Sequence, residues 1–286
     1  MDRRQFLTRS GFGVAAVAVG GVAAGAGVNA QDLHRERIRR ETEDYSGDGH
    51  GSQRIWWSVD TNRRVAALTF DDGPHLGLTD RVLAMLAAHD VHATFFMIGR
   101  NAVAQQSLVA DVVAGGHEIA NHTWSHGRLV EQDRATVRHE ILRGARAIRS
   151  LTGQDPRWFR PPRGMVDGDV LSGAAAARSE LVLWSVSRGG PNVRGSAAVL
   201  AHLTRQLHPG AIIGLHDGTG INPNDADRLA RRHEELAILP TFLTRAIDAG
   251  YRFDTVSELI AAEADTGTAS ASRESTGAEA VDKPSQ

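Results

Sequence analysis

Short apolar runs alternate with amphipathic, charged segments along most of the chain, and this alternation constrains the fold more than any other feature. The runs have the length and composition of buried strands, and the segments between them have helical spacing. The runs begin near residues 65, 94, 117, 157, 181, 211 and 251. About seven β/α units at a period of roughly 27 residues predict an α/β fold, a distorted (β/α) barrel of parallel strands. An open doubly wound sheet is the alternative.

Both ends of the chain differ from this repeating middle. Arg3 and Arg4 precede "QFL" and a short, glycine-diluted apolar run, a layout that resembles a twin-arginine export signal. A transmembrane anchor is the alternative, although a span needs about 20 strongly apolar residues. The chain is therefore expected to divide into an export signal at 1–30, a linker at 31–60, one domain at 61–262 and a disordered polar tail at 263–286.

Composition excludes several classes of protein. The formal net charge is -2, and no basic stripe with interleaved aromatic residues is present, which argues against a nucleic-acid partner. The chain has no cysteine, so disulfides, thiolate nucleophiles and zinc–thiolate sites are excluded. Any metal must be held by histidines and carboxylates. We expect an exported monomer with no membrane span once the signal is removed.

Polar residues gather where the predicted strands end. Asp71 and Asp72 follow the first strand, "NHTWSH" follows the third, Arg160 ends the fourth, and His216 ends the sixth. In a β/α barrel the C-terminal ends of the strands meet on one face, where active sites are built. The sequence therefore predicts one site at this face.

Two histidines in this set suggest a metal. His122 and His126 are four residues apart, so one helical turn would place both imidazoles on the same side. With one carboxylate of the aspartate pair they would leave a position open for water, as in catalytic zinc sites. Two ordinary histidines, or an iron oxygenase, are the alternatives. A metalloprotease is disfavoured because Thr123 stands where its glutamate is needed.

The second aspartate suits a hydrolase. If one aspartate binds the metal, its neighbour can take a proton from the bound water, whose pKa the ion lowers toward about 7. His216 could then protonate the leaving group, and Arg160 could hold the base carboxylate by charge-assisted hydrogen bonds. An oxygenase has no evident use for the second carboxylate.

The same strings resemble the motifs of the polysaccharide deacetylase family, the NodB-homology carbohydrate esterases, between about residues 65 and 260. "TFDDGP" resembles the first motif, which implies that Asp71 is the general base and Asp72 a metal ligand. "HTWSH" resembles the second and implies that His122 and His126 are the other ligands. The resemblance implies a divalent metal, Zn²⁺ first and Co²⁺ as the alternative.

Two further strings extend the resemblance to the other side of the site. "RPPRG" resembles the third motif and implies that Arg160 orients the base and that the backbone N–H of Arg163 stabilises an oxyanion. "GLHD" resembles the fifth and implies that Leu215 is a wall of the acetyl pocket and His216 the general acid. Trp184 is expected to line the substrate pocket.

Two departures from the family pattern are visible. Arg163 replaces an aromatic residue, which changes the wall of the groove but keeps the backbone donor. The fourth motif, usually Asp-x-x-Asp-Trp, corresponds to "SRGGP" at residues 187–191, without its tryptophan and carboxylates. Another acid, such as Asp217 or Asp169, would have to serve His216.

The resemblance implies an exported, metal-dependent deacetylase acting on an acetylated polysaccharide or oligosaccharide. Peptidoglycan, a chitin-like polymer and acetylxylan all fit, and the sequence does not choose between N- and O-acetyl groups. The alternative is a non-catalytic carbohydrate-binding protein on a degenerate deacetylase scaffold.

Overall fold

The computed structural model describes residues 53–190, 192–220, 222 and 224–262. The predicted export signal, most of the predicted linker and the predicted tail lie outside these residues. The strands are β1 Ile55–Trp56, β2 Val65–Asp71, β3 Thr94–Met97, β4 Glu118–Asn121, β5 Trp158–Phe159, β6 Glu180–Val182, β7 Val186–Ser187, β8 Ile212–His216 and β9 Arg252–Asp254. The helices are α1 Thr79–Ala87, α2 Gly99–Ala104, α3 Gln106–Ala114, α4 Arg134–Thr152, α5 Gly168–Ala176, α6 Ser196–Gln206 and α7 Ala226–Asp248.

The strands form one curled parallel sheet. Their order is β1-β6-β5-β4-β3-β2-β8-β7, and β9 pairs with β2. Ser58, just after β1 at one end of the sheet, forms a bridge with Ala211, just before β8 near the other end. The sheet is therefore a distorted β/α barrel, as the repeat predicts, and the open doubly wound alternative is wrong.

The predicted strand at residue 181 is two strands. β6 pairs with β5 and β1 near one end of the sheet, whereas β7 pairs with β8 at the opposite end. Residues 183–185 therefore cross the opening of the barrel, and Trp184 lies on this crossing. The apolar run predicts extended backbone correctly, but its pairing partners are set by the curl of the sheet.

The sheet also begins earlier than the sequence suggests. β1 lies inside the range 31–60 predicted as a linker, yet it pairs with β6, and nearby Val59 is 3% exposed. Two residues are too few to show a periodic pattern, so the signal for this strand is absent from the sequence. The other predicted domain boundaries stay predictions.

Strand β2 is at the centre of the sheet and is buried along its whole length. Its side chains alternate between two faces. Ala66, Leu68 and Phe70 pack in the cluster that the sheet shares with α1, α6 and α7. Ala67 faces the other side and packs with Trp158 inside the barrel. Thr69 and Asp71 follow on that same face, so the Asp71 carboxylate lies inside the barrel at the C-terminal end of the strand.

No helix among residues 53–262, apart from the three undescribed positions within that range, is long and apolar enough to cross a membrane.

Candidate active site

The register of the sheet brings the strand ends together. Asp71, the last residue of β2, is the register partner of His216, the last residue of β8. Asn121 of β4 is the partner of Phe159 of β5, so the residues that follow them, His122 and Arg160, are also neighbours. The C-terminal edge of the sheet therefore collects the polar residues that the sequence places at strand ends.

Asp72, His122 and His126 form a compact group of ligand atoms. The Asp72 Oδ1 atom lies 2.9 Å from His126 Nε2 and 3.6 Å from His122 Nε2. One ligand atom from each of the three residues lies within 4.8 Å of the others, and all three residues are buried. Among the described residues this is the group that could hold a metal ion, and its one carboxylate and two imidazoles suit Zn²⁺.

A loop, not a helical turn, brings the two imidazoles together. Residues 122–128 have no helical structure, which corrects the prediction from the four-residue spacing. Thr123 and His126 have φ values of 69° and 62°, and the Thr123 hydroxyl accepts a hydrogen bond from the His126 N–H at 2.9 Å. The imidazole centroids are 5.0 Å apart. Asp72 also has a positive φ, 76°, so two of the three candidate ligands and the residue after His122 have strained backbone.

Neighbouring groups orient the three side chains. The Arg160 carbonyl accepts a hydrogen bond from His122 Nδ1 at 2.7 Å, which leaves Nε2 free to bind a metal. Arg232 donates to Asp72 Oδ2 at 2.9 Å, so Oδ1 faces the histidines. Burial would raise the pKa of the Asp72 carboxyl, but hydrogen bonds with His122 and His126 hold that pKa well below its ordinary value. The donor set therefore carries the negative charge that a cation needs.

Asp71 is held by a fully buried arginine. Arg160 donates from Nη1 to Asp71 Oδ1 at 2.6 Å and to the Thr69 hydroxyl at 2.8 Å. Its Nε and Nη2 atoms donate to the carbonyls of Val182 and Leu183. Because nearly every guanidinium donor is used, Arg160 cannot rotate away, and the Asp71 carboxylate is fixed in place.

His216 is oriented by a residue that the sequence analysis missed. Its Nδ1 atom lies 3.1 Å from Glu235 Oε2 on α7, and its backbone N–H donates to the same oxygen at 2.9 Å. Glu235 Oε1 accepts from Arg232 at 3.2 Å. The signal in the sequence was weak: Glu235 sits next to Leu236 on the apolar side of α7, where a buried charge needs a partner.

Asp71 and His216 line one cavity of about 480 Å³. Trp184, Ser187 and Gly214 form part of its wall, and arginines from α7 form another part. The three candidate metal ligands are not part of this lining, but Asp72 directly follows Asp71, and Arg232, which donates to Asp72, does line the cavity.

The comparisons with known proteins show the family of this chain. The family model described as polysaccharide deacetylase matches residues 58–182. A peptidoglycan-N-acetylglucosamine deacetylase of Bacillus cereus is 34% identical over 208 residues, which cover 72% of this chain and 92% of that protein. The chain belongs to the polysaccharide deacetylase family.

Two further proteins are similar to this chain. A chitooligosaccharide deacetylase of Bradyrhizobium is 42% identical over 156 residues, covering 54% of this chain and 71% of that protein. The crystal structure of a CE4 family pseudoenzyme from Bacillus anthracis has a TM-score of 0.61 and 25% identity, covering 73% of this chain and 69% of that one. A protein named a pseudoenzyme thus has a fold similar to that of this chain.

The structure corrects one residue of the expected substrate pocket. Leu215 is 1% exposed and packs in the cluster between the sheet and the helices. Since neighbouring residues of a strand face opposite sides, Leu215 must point away from the cavity when His216 points into it. Gly214, on the same side as His216, lines the cavity instead, and a Cβ atom there would lie 3.2 Å from Trp184.

Of the other two expected pocket residues, Trp184 lines the cavity, and Arg163 precedes Gly164, which lies against the Trp184 ring. Trp184 fits between Gly214 and Gly164, where a Cβ atom would lie 2.8 Å from its ring. Arg163 is exposed in the Pro162–Gly164 turn with a φ of 62°. Its proposed backbone donor therefore belongs to a turn that packs against the cavity wall.

Neither Asp169 nor Asp217 replaces the fourth motif. Asp169 accepts from Arg134 at 2.9 Å, away from His216. Asp217 accepts from the Thr79 hydroxyl at 2.7 Å, although it is the residue next to His216. The Asp217 side chain is held by Thr79 at the start of α1 and does not serve as the partner of the imidazole.

Asp217 is expected to make the protein less stable as the pH rises. Burial raises the pKa of its carboxyl to about 7, and its Oδ1 atom has no hydrogen-bond partner. Above pH 4 the unfolded chain releases this proton while the folded chain keeps it, so unfolding becomes more favourable until about pH 7. Asp217→Asn should therefore gain on the order of 4 kcal/mol in unfolding free energy relative to the native protein between pH 4 and 8.

Urea unfolding of both proteins at several pH values measures this difference. Asp111→Asn, which changes an exposed aspartate on α3, is the matched control and should show a small, constant difference. A constant difference for Asp217→Asn as well would mean that the buried carboxyl ionises at its ordinary pH.

Proposed function

We propose that this chain is a metal-dependent deacetylase that removes N-acetyl groups from an N-acetylglucosamine-containing polysaccharide. The observation that carries the proposal is the separation of the two adjacent aspartates. Asp71 is paired with Arg160 and faces the cavity, whereas Asp72 is turned toward His122 and His126. This is the division between base and ligand that hydrolysis requires.

A divalent ion held by Asp72, His122 and His126 would act as a Lewis acid and lower the pKa of a bound water. The protein supplies the remaining steps. Asp71 accepts the proton of the attacking water, with Arg160 holding the carboxylate in one orientation. His216 donates a proton to the departing amine, which is a poor leaving group without it.

The substrate would enter the cavity between these two groups. Trp184 would provide an apolar surface for the acetyl methyl, and the Arg163 N–H would stabilise charge on the acetyl oxygen. The preference for N-acetyl groups is supported by the relative from Bacillus cereus, which is named a peptidoglycan-N-acetylglucosamine deacetylase. Peptidoglycan strands and chitin-like oligosaccharides are the favoured substrates, ahead of acetylxylan.

Action outside the cytoplasm is part of the proposal. It is supported by the twin-arginine layout of residues 1–30, which lie outside the described part of the chain, and by the polymeric substrates that the relatives' names give.

A non-catalytic carbohydrate-binding protein is the second candidate. It is favoured by the missing fourth motif and by the pseudoenzyme with a similar fold. The presence of the base, the ligand set and an oriented His216 in one structure favours catalysis.

Acetate release from N-acetylated chitooligosaccharides, peptidoglycan and acetylxylan tests the proposal. We expect release from the first two, loss of release after chelation, and recovery with Zn²⁺ or Co²⁺. Binding of these sugars without acetate release from zinc-loaded protein would establish the second candidate instead. Full activity of metal-free protein would contradict the metal site.

A further inference from the structure

The carboxylate that faces His216 comes from a helix rather than from the segment where the family carries it. Glu235 is 1% exposed and follows His216 by 19 positions in the sequence. Ser187, at the start of the altered fourth motif, is the register partner of Gly214 and lines the cavity without a carboxylate. Arg188, the next residue, turns its Nε to within 3.2 Å of Glu235 Oε1.

The two carboxylate oxygens of Glu235 contact different partners. Oε1 faces the guanidinium groups of Arg232 and Arg188, whereas Oε2 accepts from the backbone N–H of His216 and lies against its Nδ1 atom. Burial would raise the pKa of the Glu235 carboxyl, but His216 and the two arginines hold that pKa below its ordinary value. An ionised carboxylate can only accept hydrogen bonds, so Nδ1 must be the protonated nitrogen.

The same contacts connect His216 to the candidate metal ligands. Arg232 donates to Glu235 Oε1 and also to Asp72 Oδ2. It additionally donates to the Gly218 carbonyl at 2.6 Å, so its guanidinium is fixed between the two carboxylates. One buried arginine thus keeps Asp72 turned toward its histidines and Glu235 turned toward His216.

We propose that Glu235 is the positioning residue that replaces the absent fourth-motif carboxylate. It holds His216 with Nδ1–H against its carboxylate and Nε2 directed into the cavity, so that the doubly protonated ring presents its Nε2 proton to the departing amine. The inference rests on the proposed function, since its consequence for catalysis requires His216 to be the general acid. The orientation itself does not depend on the reaction, and this makes the two separable by experiment.

The test uses Glu235→Gln in the zinc-loaded, full-length protein. The two arginines require an acceptor, so the amide oxygen should stay with them and the amide NH₂ should turn toward His216. Nδ1 must then accept, so the neutral ring carries its single proton on Nε2. The doubly protonated ring, which is the form that can release a proton from Nε2 while keeping Nδ1–H, no longer has an acceptor for Nδ1–H. We expect kcat to fall by about 10- to 100-fold with little change in KM, the size of effect typical of a partner that orients an imidazole.

The nitrogen-15 spectrum of the histidine imidazoles reports the tautomer directly. The His216 signals are assigned by their absence in His216→Asn. In the native protein we expect the Nδ1–H form, and in Glu235→Gln the Nε2–H form. Glu235→Asp, which keeps the charge, should retain the Nδ1–H form and part of the activity.

Glu234→Gln is the matched control. Glu234 accepts from Arg188 at 2.7 Å and from the Gly195 N–H, and so shares the arginine but not the imidazole. It should leave both kcat and the His216 tautomer unchanged. An equal effect of both substitutions would show that Glu235 acts only through the local charge balance, and would overturn the proposal.

The remaining outcomes separate this inference from the proposed function. An Nε2–H tautomer in the native protein overturns the inference even if Glu235→Gln does not fold. Unchanged kcat and tautomer in a folded Glu235→Gln also overturn it. If the native protein releases no acetate but the tautomer changes as expected, the positioning role stands and the deacetylase function fails.

Discussion

His126→Ala is expected to remove the metal and the acetate-releasing activity together. His126 supplies one of only three side chains in the candidate ligand set, and its Nε2 atom lies nearest to Asp72 Oδ1, at 2.9 Å. Alanine leaves one imidazole and one carboxylate, too few to hold a catalytic zinc ion with an open water position. Metal content per chain, measured alongside acetate release, tests this.

A control variant and a folding measurement make the test specific to the metal site. His139→Ala, which removes an exposed histidine on α4, should keep full metal content and activity. Circular dichroism should show that His126→Ala is still folded, because its side chain lies on a loop outside the core clusters. A folded His126→Ala protein that kept stoichiometric zinc would contradict the ligand set.

Asp71→Asn is expected to keep the metal but to lose about 100- to 10,000-fold of turnover, the usual contribution of a general base. The asparagine oxygen can still accept from Arg160 Nη1, so the geometry of the pair is preserved. The amide cannot take up the proton of the attacking water. The loss should therefore appear in kcat, while zinc content and substrate binding stay near native values.

Asp72→Asn is the contrasting variant. It makes the same carboxylate-to-amide change at the neighbouring residue. Here the change removes the negative charge from the side chain that contacts both histidines and Arg232. Its metal affinity should fall, and added zinc should restore part of its activity. Equal metal loss in both aspartate variants would mean that the division between base and ligand is wrong.

The sequence was sufficient for those parts of the site that are encoded locally. The apolar runs predict the strands because a buried parallel strand needs an unbroken apolar segment. Asp71, Asp72, Arg160 and His216 each stand at a strand end, and parallel strands place such ends on one face. The convergence of these residues follows from chain order and strand direction, without knowledge of distant contacts.

Only the tertiary structure decided how the site is completed. Periodicity predicts that α7 is a helix, but it does not predict that α7 packs against β8. That packing brings Glu235 to His216, and it brings Arg232 to Asp72, a residue 160 positions earlier in the sequence. The positive φ values of Thr123 and His126 replace the helical turn that their spacing suggests. Such contacts depend on the position of whole elements, and local residue patterns carry no information on which buried charges will meet.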